Sequence, residues 1–531
     1  MKYRYLFIFI LLFTSSSGFA EYKFNWQKGE DVFFVSKTDE WKKLLHYHGN
    51  KSVVNDKRFF LAKNGNKNPY DELVALLNEY NAPTFNGEND VVCRFPARIR
   101  FVRKYFNLGD GMRGITCPQY EEFRQKVPAD TISIAFAAEN NFSPSSMMGH
   151  MFIKISGKNH GVLREHSFSF FATFEQSNGL WNYLKVLSNN VDGSYILSPY
   201  SDKISRYLGK EQRPIWEFDL NFTEEEKNIL LEHMWELKEQ TINYGFITHN
   251  CGTAAIDILQ IARPNIIKDT KKHWHTPTEY VKMLLDDKNI DNISLIPSDE
   301  YRHKIEKYNE IKNITDISPS SKLSFSYRNF GDNYFTIDFR PIYLDLNDVN
   351  TIYYDDLETK LFSFRVQYNI DEHKLFVDNL TVWRITSIID FLPDKIFSKY
   401  FNLSFENDLD KNKTELKPNV EIGMGIGFSL YKNLKVYFLP KFGYRHSGIN
   451  NTYIIPEVGI VYQFDNKLKT ILSYQNYIDN KHNNRGFDEK IAISGNYRID
   501  EIYSLEIDFN RYYGTTTKHK NELMLKFGLA F

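Results

Sequence analysis

One cysteine stands apart from the other two in this chain: Cys251, in YGFITHNCGTAAIDILQIAR. Ala255, Ile258, Leu259 and Ala262 follow it at helical spacing, which predicts a helix beginning close to the thiol. Asn250 is a good N-cap type, and Gly252 leaves room for a ligand beside the first turn. A thiol at a helix N-terminus feels the positive end of the macrodipole, which favours thiolate and so a nucleophile. The plainer reading is a small buried cysteine that packs a helix start.

A thiol nucleophile needs a base. His150 lies in SPSSMMGHMFIKISG, where Ser143 to Gly149 read as a loop and Met151 to Ile155 as a strand. His150, Phe152 and Lys154 then face one way, and Met151, Ile153 and Ile155 the other. A histidine at the head of a strand can reach a helix N-terminus packed alongside. Taken alone, it is one of 14 histidines and an ordinary loop-end residue. His249 abuts the cysteine, but adjacent side chains diverge. His273 and His275 form an HWH pair without further ligands at a recognised spacing, so neither metal nor cofactor is expected.

These residues need elements to position them, and a compartment. Residues 1–20, MKYRYLFIFILLFTSSSGFA, run from Lys2 and Arg4 through an apolar stretch to Gly18 and Ala20, the order of a secretory signal cleaved before Glu21. In the oxidising compartment this implies, Cys93 in CRFPARIRF and Cys117 in ITCPQY are expected to pair, with two free buried cysteines as the alternative. That leaves Cys251 as the odd thiol. Residues 21–130 read as a helical periplasmic domain, 131–265 as the α+β domain that carries the cysteine, and 266–321 as a helical connector. The balance of 66 Lys+Arg against 67 Asp+Glu gives no case for a nucleic-acid partner.

From about Lys322 the periodicity changes to two. Val420, Ile422, Met424, Ile426, Phe428 and Leu430 alternate with Glu421, Gly423, Gly425, Gly427 and Ser429. Phe362 to Tyr368, Tyr503 to Asn510 and Phe335 to Arg340 repeat the pattern, which is that of lipid-facing and lumen-facing residues in an outer-membrane strand. The final segment alternates from Leu523 to Phe531 and resembles the C-terminal signal read by the barrel-assembly machinery. Residues 322–531 are therefore expected to form an all-β transmembrane barrel of about twelve antiparallel strands, with a soluble β-sandwich as the alternative. The chain is 16% aromatic, an excess that codon bias or membrane-interface belts would each produce.

Together SPSSMMGHMFIKI and NYGFITHNCGTAAIDIL resemble the Lnb N-terminal periplasmic domain family, related to lipoprotein N-acyltransferases. CRFPAR and EQRPIWEFDLNFTEEEKNILLEHMWEL look like its flanking motifs, and the likeness covers roughly residues 60–310. Such domains are similar to the papain-like NlpC superfamily in a circularly permuted order, with the histidine strand before the cysteine helix. The resemblance implies an α+β papain-like fold, Cys251 as nucleophile and His150 as general base and acid. It also implies a third polar residue on the next strand, GVLREHSFSFF, where Glu165, His166, Ser167 and Ser169 compete and His166 is preferred. Met148 stands where the family often has an aromatic, a change that concerns packing.

With Asn250, Gly252 and nearby backbone N–H groups around the oxyanion, the expected chemistry is acyl transfer or acyl hydrolysis. Its substrate would be a phospholipid or a lipoprotein, at an outer-membrane-anchored periplasmic site. A murein or protein amidase is the alternative enzyme. A domain that only binds is the non-catalytic one.

Overall fold

The computed structural model describes residues 29–531 apart from 107, 109–114, 139–148, 174–184, 186–190, 247, 269–273, 287–288, 309–318, 350–355, 392–396, 408–415, 447–449, 480–486 and 515–518. The leader read at 1–20, the loop 143–148 and His273 lie outside these residues. Two compact units divide the chain: Met1–Phe123 with Ile229–Leu237, and Arg124–Asn228 with Lys238–Phe531.

The first unit is helical, with α1 (Gly29–Ser36), α2 (Asp39–Leu44), α3 (Pro69–Asn81), α4 (Val91–Arg94) and α5 (Pro96–Tyr105). Asn68 caps α3 through the Tyr70 N–H, and Pro69 occupies its first turn, where a missing N–H costs nothing. Cys93 and Cys117 form a disulfide, their Cα atoms 5.3 Å apart. The centre of this unit is Arg98, buried between the carboxylates of Glu72 at 3.1 Å and Glu236 at 3.2 Å.

The second unit holds two sheets. In the first, β1 (Thr131–Ala137), β2 (His150–Asn159), β3 (Val162–Ala172), β4 (Val191–Pro199), β5 (Ile215–Leu220), β6 (Thr241–Tyr244) and β7 (Ile290–Ile296) lie in the order β6-β4-β3-β2-β1-β5-β7. Every neighbouring pair is antiparallel, with Ala137 opposite His150 and Ile155 opposite His166. One face carries Ala135, Ala137, Phe152 and Ile215 under Tyr200 and Tyr207. Those tyrosines belong to α6 (Tyr200–Ile204) and the π-turn Ser205–Lys210 that continues it. The other face, with Phe168, Phe170 and Tyr195, receives α7 (Cys251–Ala262), whose Ala254 carbonyl accepts from the Tyr195 hydroxyl at 3.0 Å.

The stretch from 266 onward, read as a connector, does more than connect. It supplies α8 (Pro277–Asp286), whose first turn abuts α7 at Gly252, and the seventh strand β7, paired to β5. Its alternation is weak, and its flanking helices hid it.

The second sheet closes on itself. Its strands are β8 (Lys322–Phe330), β9 (Asp332–Arg340), β10 (Leu357–Asn369), β11 (Lys374–Ser387), β12 (Ser398–Glu406), β13 (Lys417–Tyr431), β14 (Leu434–Phe438 and Lys441–His446), β15 (Asn450–Ile455 and Glu457–Gln463), β16 (Leu468–Asn476 and Ile478–Asp479), β17 (Glu489–Arg498), β18 (Tyr503–Tyr513) and β19 (Lys520–Ala530). Strands β14 and β15 are interrupted at Pro440 and Pro456, which cannot donate to a ladder. Pairing of β8 with β19 and of β12 with β13 completes a closed antiparallel barrel of 12 strands.

Outward positions such as Ile422, Met424, Phe442, Leu505, Ile507 and Phe527 are exposed apolar residues, while Ser324, Asn402, Asn419 and Glu506 between them are buried. Apolar outside and polar inside is the outer-membrane arrangement, the reverse of a soluble core. Among the described residues no helix is long and apolar enough to cross a membrane; the strands do so.

The segment between β9 and β10 does not stay at the rim. The Asp345 carboxylate pairs with Arg340 at 2.6 Å, and Asp348 takes Lys322 at 3.3 Å and the Asn496 amide at 2.9 Å. Asp356 holds Lys435 at 2.8 Å and Lys469 at 3.0 Å. Lys469 stands on β16, six strands from β10 in either direction round the barrel. Asp345, Asp348 and Asp356 therefore lie within the lumen, bonded to its walls.

Candidate functional site

Gly149 precedes His150 with φ +75°, and a Cβ there would lie 2.4 Å from the Phe136 ring. Only glycine tolerates both, so this residue sets the angle at which the chain enters β2. The His150 ring then packs at 4.7 Å from Phe171, 5.7 Å from Phe152 and 6.0 Å from Tyr207 (centroid distances). Its Nε2 is buried without a hydrogen-bond partner among the described residues. Burial, and after it the charges of Arg213, Lys203 and Arg206, hold the imidazole well below its ordinary range, so it is neutral and able to accept a proton.

Cys251 is the first residue of α7. It is free and buried. The β2–β3 ladder stops at Ile153 opposite Phe168, and beyond that point the Met151 N–H points at the Cys251 sulfur. Burial pushes the thiol up from its usual range; the Met151 N–H, the Arg213 charge and the Gly252 and Cys251 N–H groups work against it. The helix start alone was expected to favour thiolate. In the folded chain desolvation is the larger effect, and the resting group is a thiol. A thiolate at Cys251 would push both Tyr207 and Tyr244 up, which places the two hydroxyls near the sulfur.

Cys251 and His150 thus come to one end of β2, with Tyr207 and Arg213 bordering both. Arg213 is buried and held on three sides. Its Nε donates to the Ala138 carbonyl at 2.5 Å, Nη2 to the Ala137 carbonyl at 2.8 Å, and Nη1 to Glu211 at 2.8 Å. Ala137 is the residue directly opposite His150, so the guanidinium is fixed to the strand end that carries the histidine.

Three sequence expectations sit differently. His166 is not brought to His150: it lies opposite Ile155, on the face covered by α7, whereas His150 faces α6 with Phe152 and Phe171. A third residue chosen by alternation with Phe168 and Phe170 falls on the wrong side, because β3 pairs to β2 with His150 in register with odd-numbered positions. Ser169 shares the His150 face, and its Oγ is buried without a partner.

Asn250 is consumed by capping. Its Oδ1 accepts from the Gly252 N–H at 2.9 Å and the Thr253 N–H at 3.1 Å, and its Nδ2 donates to the His275 carbonyl at 2.9 Å. Gly252 leaves room for α8, not for a ligand; a Cβ there would stand 3.0 Å from Pro277 Cα and 2.8 Å from the Tyr280 ring. The N–H groups that face the sulfur without serving the cap are those of Met151 and Cys251. His249 is buried with Nδ1 3.6 Å from Asp257, and His275 packs on Tyr280 at 5.3 Å.

Arg213, Lys203 and Tyr207 had no place in the sequence reading. The only available signal was a basic residue in EQRPIW, ahead of a strand whose Ile215, Trp216 and Phe218 are buried.

An antiparallel α+β domain with a cysteine heading one helix and a histidine heading one strand, in one chain with a closed outer-membrane barrel, defines a membrane-tethered periplasmic protein. Residues 119–287 match the family model described as the Lnb N-terminal periplasmic domain, and this segment is such a domain. Two further models, each described only as a domain of unknown function, match residues 34–105 and 318–529.

No curated protein matches the chain. Solved structures similar to the barrel include the NanC porin (8% identity, 40% of this chain and 100% of that one, TM-score 0.27). An outer-membrane channel from Pseudomonas putida F1 is similar at 11% identity, covering 40% and 96%, with TM-score 0.27. LpxR from Salmonella typhimurium is similar at 8%, covering 40% and 100%, with TM-score 0.24. The barrel is established by its own strand pairing, with the Lnb-type domain on the periplasmic side.

Proposed function

We propose that the periplasmic domain is a thiol-dependent acyltransferase or acyl hydrolase that takes acyl groups from lipid at the outer membrane. The observation that supports this reading is that a free buried thiol at a helix start and a buried histidine, its Nε2 without a partner among the described residues, both come to one end of β2, where the charge of Arg213 acts on each. A buried polar atom left without a bond is costly, and sites that exchange protons are where such atoms are kept.

In this reading His150 takes the Cys251 proton as the sulfur attacks an ester carbonyl. The C–S bond forms, and the negative oxygen is met by the N–H groups of Met151 and Cys251. The C–O bond then breaks, and His150 returns the proton to the departing glycerol oxygen. An amine or water attacks the thioester, His150 takes its proton, and the thiol is restored. An amine makes the reaction transfer and water makes it hydrolysis; both share the same intermediate.

The test is acyl release from phospholipid vesicles by the full-length chain, with and without an amine acceptor. Cys251→Ala is expected to lower it by at least about a thousandfold, as loss of a nucleophile does elsewhere. Undiminished release by Cys251→Ala overturns the reading. Cleavage of murein peptides with no lipid turnover would place the same dyad in an amidase instead.

A further inference from the structure

The face of the sheet that carries His150 holds two buried lysines, and only one is matched. Lys154 is bonded to Glu217 at 2.9 Å and Glu165 at 2.9 Å, as a buried ammonium requires. Lys203, on α6, is 6% exposed and has neither hydrogen bond nor ion pair among the described residues. Its Nζ lies 4.4 Å from the centroid of Phe171, and that ring stacks on His150 at 4.7 Å. A cation–π contact offsets only part of the cost of burying an ammonium.

Its surroundings offer it no ion pair. Arg206 and Arg213 share Glu211 at 2.8 Å each. Asp202, on the same helix, is exposed, and its charge favours the ammonium less than burial and Arg206 oppose it. Three cations therefore stand beside a neutral imidazole with one buried carboxylate among them. Burial and Arg206 bring the Lys203 ammonium down to about 8, so it is still mostly charged at neutral pH and an arriving anion would hold it so.

We propose that Lys203, with the exposed Arg206 beside it, is the subsite that receives a phosphate group of the acyl donor, so that the donor is a glycerophospholipid. This rests on the reading of Cys251 and His150 given above. An ammonium is a compact three-donor charge suited to phosphate oxygens. In a glycerophospholipid the phosphate hangs one glycerol unit from the ester carbonyls. Phe171 touches both groups, 4.7 Å from the His150 ring and 4.4 Å from the Lys203 Nζ (to its centroid), which keeps them within reach of one such headgroup. A lipoprotein carries a thioether at that glycerol position and offers Lys203 nothing.

The experiment uses the full-length chain in detergent and in vesicles, with two readouts. The first is acyl release from phosphatidylglycerol against phosphate-free diacylglycerol. Lys203→Met keeps the aliphatic stem and is expected to raise KM for phosphatidylglycerol at least tenfold with a smaller change in kcat. Lys203→Arg is expected to recover most of that loss. Equal KM in the wild type and Lys203→Met, or diacylglycerol used as well as phosphatidylglycerol, overturns the proposal.

The second readout needs no turnover: iodoacetamide alkylation of Cys251. Phosphatidylglycerol vesicles and sn-glycerol 3-phosphate are expected to slow it in the wild type and not in Lys203→Met or Lys203→Gln. Protection by inorganic phosphate without protection by vesicles assigns the subsite to free phosphate and overturns the lipid donor. If Cys251→Ala keeps its activity, the thiol reading fails, and protection by the lipid still decides the subsite by itself.

Discussion

The barrel lumen and the His150 face of the periplasmic sheet are both charged interiors, and they treat charge in opposite ways. In the lumen Lys322, Arg328, Arg340, Lys435, Lys469 and Lys526 each meet a carboxylate. Asp356 and Glu506 are each shared by two lysines from different strands. Around His150, one carboxylate, Glu211, serves two guanidiniums, and Lys203 has none. A matched network holds walls in place; an unmatched one is left free to hold something that arrives. The same residue types thus read as scaffold in one place and as binding site in the other.

The comparison breaks first at the largest expected effect. Asp356→Asn removes the carboxylate that Lys435 and Lys469 share inside the lumen, and removing one partner of a buried pair costs about 3–5 kcal/mol. The temperature at which the folded barrel converts to its slower-migrating form on gels should fall accordingly. In planar bilayers Asp356→Asn should change the conductance of the barrel relative to the wild type, because Asp356 ties Lys435 and Lys469 to one point in the lumen. Lys203→Met, which removes a charge without stranding another, should leave the same gel transition where it was. A large fall with Lys203→Met would mean that its ammonium is matched after all.

A smaller effect separates position from charge at the site. Gly149→Ala forces a Cβ against the Phe136 ring and leaves an L-residue at φ +75°. The left-handed conformation costs roughly 1–2 kcal/mol on its own. Relief comes from moving the head of β2, where His150 stands. Acyl release should therefore drop by more than the loss of stability explains, while the barrel transition stays unchanged. Activity equal to the wild type would show that the entry angle of β2 is not needed.

How much of this was legible beforehand follows from the range of the forces. The barrel was readable because its alternation is local and repeated, from Phe335 to Phe527, and each strand says the same thing. The helix start at Cys251 and the strand head at His150 were readable because each boundary is marked by a cap or a glycine. His166 lies away from His150 because the register of β3 against β2 is a tertiary fact: a shift of one residue moves every side chain to the other face. Asn250 caps α7 as its type predicts, and what else it and Gly252 touch was hidden for a similar reason. Their partners, the His275 carbonyl and Pro277 of α8, lie in a stretch taken for a connector. The unmatched charge at Lys203 could not be seen at all, since a lysine in SDKISRYLGK looks like any solvated helix residue until Phe171 is laid under it.

The smallest expected effect is a pH shift, and its sign follows from the charges. The imidazole of His150 is held down by burial first and then by Arg213, Lys203 and Arg206. The thiol of Cys251 is held up by burial, against Arg213 and three N–H groups. Both groups are neutral between those limits. The profile of kcat/KM should therefore be flat across neutrality, with an acid limb below 6.5 and an alkaline limb above the ordinary thiol range. Lys203→Met removes a positive neighbour of the imidazole, so the acid limb should move up towards 6.5. Arg213→Met removes one from both groups: the acid limb again rises, and iodoacetamide alkylation of Cys251 should need a higher pH. Unlike Lys203→Met, it also leaves Glu211 short of one partner, so Arg213→Lys is the control that separates charge from packing. If alkylation by Arg213→Lys follows the wild-type curve while Arg213→Met is displaced upward, the shared cation acts through its charge. If the two variants coincide, the guanidinium's hold on the Ala137 and Ala138 carbonyls is what the site needs, and the contrast with the lumen narrows to Lys203.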